Sequence, residues 1–211
     1  MSEITKITKT NNVEGFIQID YFKGNKYIDK AGEFLDSLYE DKKTAPSFQM
    51  TPHGAEITFP NNRKIRVGGT KLWTGFPEPD SFDVQKQFAL KAFDSVVKLF
   101  EPQKYERVGW RNYFVVDTDP TKLDFFKTEN WFGGKLFNLK LEKEFGTYDS
   151  NINITKIVEG NSNVEKILFD IDIYKRLQGD TKSEDIKKIL DEIRDQFNSN
   201  ELLGVINTVI K

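Results

Sequence analysis

Two aspartates, Asp170 and Asp172 in the run Phe169-Asp170-Ile171-Asp172-Ile173, have a spacing that strand geometry can turn into chemistry. Side chains alternate faces along a strand, so both carboxylates share one face while Ile171 and Ile173 take the other. Their backbones then lie roughly 6–7 Å apart, close enough to share a divalent cation such as Mg2+ or Mn2+. A second constellation stands on residues 105–117, YERVGWRNYFVVD, where Arg107 and Arg111 fall on one face with Tyr113 and only Gly109 between them. The opposite face carries Val108, Trp110, Asn112, Phe114 and Val116, a mostly apolar set suited to a core. The glycine gap can admit an anion, a carboxylate or a neighbouring backbone.

The aspartates support two readings. With Gly160-Asn161-Ser162 upstream, the run is similar to the glycine-serine then Asp-x-Asp pattern of nucleotidyltransferases. That similarity implies a metal-dependent nucleotidyl- or phosphoryl-transfer enzyme, with Mg2+ or Mn2+ on Asp170 and Asp172. Three features oppose it: the interval from Ser162 to Asp170 patterns as hairpin and strand, no later strand offers a third carboxylate, and the glycine turn is one residue out of place. The competing expectation is structural: Arg107 and Arg111 pair with Asp170 and Asp172 across neighbouring strands as an Arg–carboxylate ladder. A third reading leaves the Arg107/Arg111 face open to a small anionic ligand, which requires solvent access to both guanidiniums.

Composition narrows the alternatives. The chain has no Cys, which removes disulfides, thiolate catalysis and Cys-ligated zinc. A single His, His53, removes any site built on two histidines, and Thr51-Pro52-His53-Gly54 patterns as a turn tip. Neither G-x-S-x-G nor H-E-x-x-H occurs. Net charge is -2, from 31 basic and 33 acidic residues interspersed along the chain, so the basic excess of a nucleic-acid binder is missing. No apolar run approaches the ~20 residues of a membrane span, and the N-terminus lacks a signal-peptide core. A cytoplasmic location is therefore expected, with no membrane partner.

The elements that must position these groups follow from periodicity. Residues 1–12 are polar and expected to be flexible, leaving 13–211 as one α+β domain with candidate sub-lobes 13–103 and 104–211. A first strand at 14–22 places Ile17, Ile19 and Tyr21 on one face and Gln18 and Asp20 on the other. A helix at 26–40 carries Tyr27, Ile28, Ala31, Phe34, Leu35 and Leu38 at helical spacing. Short strands at 48–50, 55–59 and 64–67 read as an antiparallel meander, and Gly68-Gly69-Thr70-Lys71 as a turn rather than a phosphate loop. Residues 72–79, LWTGFPEP, read as an aromatic loop holding Trp73.

A long helix follows at 81–100, with Asp80 as its expected N-cap and Phe88, Ala89, Ala92, Phe93, Val96, Val97 and Phe100 as its buried stripe. After the 105–117 strand come a short helix at 121–128, a loop with Trp131 and Phe132, a strand at 135–145 and a hairpin of 151–158 with 165–174. Thr181 and Glu184 form an expected capping box for a helix ending at Phe197, and an apolar helical set at 202–210 closes the chain. Together these predict a largely antiparallel sheet with two long amphipathic helices packed on it.

The order of segments resembles a group of sporadically distributed bacterial proteins of uncharacterised function. Their shared mark is an Arg-x-Gly-x-Arg-Tyr strand after a long helix. In this chain it reads Arg107-Val108-Gly109-Trp110-Arg111-Asn112-Tyr113, with Asn112 where the Tyr usually stands. The resemblance implies an α+β domain in a bacterial cytoplasm and assigns no residue a role. The leading expectation is a non-enzymatic protein that binds another protein or a small anion, with Trp73, Trp131 and Phe132 as contact candidates.

Overall fold

Alternation along the strand Lys104–Val116 sets the architecture. Val108, Trp110, Asn112, Phe114 and Val116 are buried, while Arg107, Arg111, Tyr113 and Val115 turn to the other side of the sheet. The computed structural model describes residues 12–22, 26–38, 47–51, 54–77, 81–116, 138–159 and 164–210. In chain order the elements are β1 (Asn12–Phe22), α1 (Tyr27–Leu38), β2 (Ser47–Thr51), β3 (Gly54–Thr58), β4 (Lys64–Val67), β5 (Lys71–Phe76), α2 (Phe82–Phe100), β6 (Lys104–Val116), β7 (Asn138–Phe145), β8 (Tyr148–Glu159), β9 (Val164–Arg176), α3 (Ser183–Gln196) and α4 (Asn200–Ile210).

The nine strands form one antiparallel sheet in the order β2-β3-β4-β5-β1-β6-β9-β8-β7. Each half of the chain starts with a long strand, β1 or β6, and ends its meander against that same strand, β5 on β1 and β9 on β6. β1 and β6 pair with each other from Asn12↔Phe114 to Phe22↔Lys104. The α+β fold with an antiparallel sheet is therefore as expected, and the sheet runs unbroken across the boundary drawn at 103/104. Four helices are present among the described residues, each where periodicity placed one, and they do not reduce to two long helices packed on the sheet.

Helices cover one face of the sheet. α2 lies on β1 and β5, and α3 lies on β6 and β9, while α1 packs on α2. The core between them is aromatic, in a chain that carries 18 Phe residues. Phe82 and Phe197 meet Trp110 with ring centroids 5.6 and 6.1 Å apart, and Phe34 meets Phe100 at 5.3 Å. Such pairs contribute roughly 0.5–1.5 kcal/mol each beyond their burial. α4 adds Leu202, Leu203 and Ile206 to the same core. Buried among these rings, the Trp110 indole donates from Nε1 to Gln85 Oε1 at 3.1 Å, which satisfies a donor that water cannot reach.

Several local expectations are corrected. Residues 72–79 are not a loop throughout: 71–76 form β5, with Leu72, Thr74 and Phe76 buried on one face and Gly75 buried under the Trp73 ring on the other. Ser81, not Asp80, caps α2, its Oγ accepting from Val84 N at 3.3 Å, while Asp80 itself lies outside the described residues. At α3 the expected Thr181/Glu184 capping box is absent. Thr181 Oγ1 donates to the Gln178 carbonyl, and Asp185 reaches back to accept from Lys182 N at 2.8 Å. Ile28 is exposed, because Tyr27, Ala31, Phe34 and Leu38 alone form the buried stripe of α1.

The Gly68–Lys71 turn is as read, with Gly68 N donating to Lys71 O at 2.9 Å and Tyr21 Oη tying it to β1 through the Gly68 carbonyl at 2.5 Å. The expected flexible segment 1–12 (all but Asn12), the expected helix at 121–128, the expected loop with Trp131 and Phe132, and His53 lie outside the described residues. No helix among the described residues is long and apolar enough to cross a membrane.

Candidate functional site

The face of the sheet that the described helices leave open carries both constellations singled out in the sequence. β6 lies between β1 and β9. In register, Arg111 stands opposite Asp172 and Tyr113 opposite Asp170, while Gly109 faces Tyr174 on one side and Gln18 on the other. The arginines do not use their direct opposites. Arg111 turns one step to Asp170, donating from Nε to Oδ1 at 2.6 Å and from Nη2 to Oδ2 at 2.5 Å, a bidentate fork. Asn153 on β8 adds a third donor, Nδ2 to Asp170 Oδ2 at 3.1 Å.

Arg107 travels further. Its register partner is Arg176, yet its Nη2 donates to Asp172 Oδ2 at 2.7 Å. To get there the side chain lies across Gly109, where an added Cβ would stand only 2.9–3.0 Å from the guanidinium. On the way it stacks on the Tyr174 ring, with Cζ 4.5 Å from the centroid. The gap at Gly109 is therefore filled by the chain's own cation. The cause is a spacing mismatch: four strand residues span roughly 13 Å and two span roughly 6–7 Å, so only one of the two pairs can form near register.

Beside this ladder runs an aromatic wall. Trp73 on β5 projects to the open face, and its ring lies over Gly75, where an added Cβ would meet ring atoms at 2.3 Å. Arg66 stacks on its ring at 4.7 Å and Phe16 packs against it at 4.9 Å. Phe16 in turn meets Tyr113 edge-on at 5.8 Å, and Arg111 sits 5.3 Å from the Tyr113 ring.

Between wall and ladder the middle of the sheet holds a hollow of about 300 Å³, lined by Phe16, Gln18, Trp73, Arg107, Gly109, Arg111, Tyr113 and Asp172. Arg107, Arg111, Tyr113 and Trp73 thus converge on one place. Phe16, Gln18 and Tyr174 join them and were not singled out in the sequence. The signal for Phe16 was present, since an aromatic on the face opposite Ile17 and Ile19 has no core to enter. A second hollow of about 450 Å³ lies near the β4–β5 turn, where Glu56 already holds its Arg66 cation in an ion pair.

As metal ligands, Asp170 and Asp172 are compromised. Both oxygens of Asp170 and Oδ2 of Asp172 accept from arginine or Asn153. Among the described residues no group of three or more His, Cys, Asp or Glu converges. The electrostatics follow the burial. Asp170 is buried, and hydrogen bonding to it holds the Arg111 guanidinium even more firmly protonated than usual.

Burial pushes the Asp172 carboxyl above its ordinary value of 3.8, opposed by Arg107 and Arg111 and reinforced by Asp170. A carboxyl raised in the folded state favours folding when protonated. Its contribution is full below 3.8 and is lost as pH rises through the folded value. Arg107→Gln removes the larger of the two opposing charges, so a carbon-detected carboxyl titration should move Asp172 further upward. A downward move would refute this balance of burial against charge.

No protein-family model and no curated protein matches the chain.

Proposed function

We propose that this chain is a non-enzymatic binding protein whose ligand occupies the hollow at the centre of the open sheet face. The observation that carries the reading is the hollow itself, about 300 Å³ walled by Phe16, Trp73 and Tyr113 and edged by Arg107, Arg111 and Asp172. Ligand sites combine a largely apolar wall with a few convergent polar groups, and this one does so on rigid strands rather than loops. Among the described residues, no helix end, nucleophile or convergent carboxylate set supplies a reacting group there, which favours binding over the transfer chemistry considered for Asp170 and Asp172. Interspersed charges along the chain favour a small ligand over a polyanion.

The test is a small-molecule screen by amide chemical shifts, run in parallel on the intact chain and on Gly109→Ala, whose methyl pushes the Arg107 guanidinium into the hollow. Ligands should move the amides of Phe16, Gln18 and Gly109 in the unaltered protein and bind less tightly in the variant. Hits that cluster elsewhere and ignore the substitution would overturn the assignment of the hollow.

A further inference from the structure

We infer that the hollow selects a small organic monocarboxylate, its anionic group on the outward N–H edges of Arg111 and Arg107 and its flat apolar body against Phe16 and Trp73. This rests on the proposal that the hollow is the ligand site, and it specifies the ligand by chemistry. A guanidinium has five N–H donors. Arg111 places Nε and Nη2 on Asp170, and Arg107 places Nη2 on Asp172. Nη1 of each arginine has no protein acceptor among the described residues. The side chain of Arg111 is 44% exposed, so its outward edge reaches the hollow without the Asp170 pair breaking.

Charge counting limits the anion. The two guanidiniums of the lining are balanced by Asp172, also in the lining, and by Asp170, which holds Arg111, so the site is neutral and offers unspent N–H donors rather than a surplus charge. A single negative charge can take those donors with the least repulsion from the two carboxylates. A phosphate dianion would bring its second charge against Asp172, a repulsion that a partly dry site does not screen. Size limits the rest, since about 300 Å³ stands at the small end of ligand cavities. The body should be apolar and flat enough to lie beside Phe16 and Trp73, which line the hollow with their rings stacked on each other 4.9 Å apart at an interplanar angle of 31°. Carboxylate and body must be adjacent in the ligand, as Arg111 and Phe16 are direct partners across β6 and β1.

The probes are benzoate, benzyl alcohol, acetate and inorganic phosphate, titrated into the full chain with backbone amide shifts as the readout. Benzoate should shift Phe16, Gln18, Gly109 and Arg111 saturably. It should bind at least about tenfold more tightly than benzyl alcohol, which lacks the charge, or acetate and phosphate, which lack the body. Arg111→Lys keeps a cation for Asp170 but loses the fork and should weaken benzoate about tenfold. Should that variant fail to fold, Arg107→Gln should weaken it in the same direction. Equal binding of benzoate and benzyl alcohol at these amides, or tighter binding of phosphate, would overturn the monocarboxylate class while leaving the hollow a ligand site. Probe shifts that map only outside the hollow would overturn both.

Discussion

Replacing Arg111 by Ala should destabilise the fold by about 3 kcal/mol, and clearly more than replacing its partner Asp170 by Ala. The asymmetry comes from what each substitution leaves behind. Without Arg111, Asp170 keeps its charge with a side chain only 12% exposed, and Asn153 Nδ2 is then its one remaining side-chain donor among the described residues. A carboxylate in that position must either stay desolvated or take up a proton, and both are unfavourable at neutral pH. Without Asp170, by contrast, Arg111 is left with a side chain 44% exposed. It can turn into water or toward Asp172, its direct register partner, at a cost of about 1 kcal/mol.

Urea denaturation of the two single variants and the double variant measures this directly. The double variant should be more stable than Arg111→Ala alone, because the stranded carboxylate is gone. Equal losses for the two singles, or a larger loss for Asp170→Ala, would refute the argument. Arg107 provides an internal comparison. Its partner Asp172 keeps a second opposing charge, that of Arg111, once Arg107 is removed. Arg107→Ala should therefore be milder than Arg111→Ala, even though Arg107 is the less exposed of the two arginines.

Why the ladder was legible and its register was not follows from the same residues. Period-two alternation placed Arg107 and Arg111 on one face and Asp170 and Asp172 on another, and opposite charges on neighbouring antiparallel strands attract. Spacings of four and two along the chain were nearly but not fully matched. Only the pairing of β6 with β9 reveals that Arg111 shifts by one step and Arg107 must cross Gly109. Trp73 shows the opposite failure. Gly75 and the prolines after it read as loop composition, yet Gly75 is small because the Trp73 ring occupies the space a Cβ would take. Adjacent capping residues are also degenerate locally, so choosing Ser81 over Asp80 needed the helix entry angle. Gln85 sits in the apolar stripe of α2 four residues before Ala89, and nothing nearby in sequence explains a buried amide there. Its partner is Trp110, twenty-five residues away on β6.

That amide makes Gly15 less tolerant of a side chain than Gly75 or Gly109. Gly15 on β1 stands opposite Asn112, and an added Cβ would lie 2.5 Å from both Asn112 Oδ1 and Gln85 Oε1. Neither side chain has room to withdraw, since Asn112 and Gln85 are fully buried and Gln85 is held by the Trp110 indole. Gly15→Ala therefore forces overpacking, and relieving it by moving Gln85 strands a buried N–H. Each effect destabilises by roughly 1–3 kcal/mol, so a combined loss of about 3 kcal/mol is expected. Gly75→Ala should fall below that, because its clash is with the partly exposed Trp73 ring, which can lift from the sheet. Gly109→Ala should be mildest, because its contact is with the tip of the flexible Arg107 side chain. Thermal unfolding of the three variants tests the order, and hydrogen exchange at the Trp110 indole N–H tests the cause. Faster indole exchange is expected in Gly15→Ala alone; a Gly15→Ala protein as stable as the parent, with that exchange unchanged, would show that Gln85 and Asn112 can give way where the packing says they cannot.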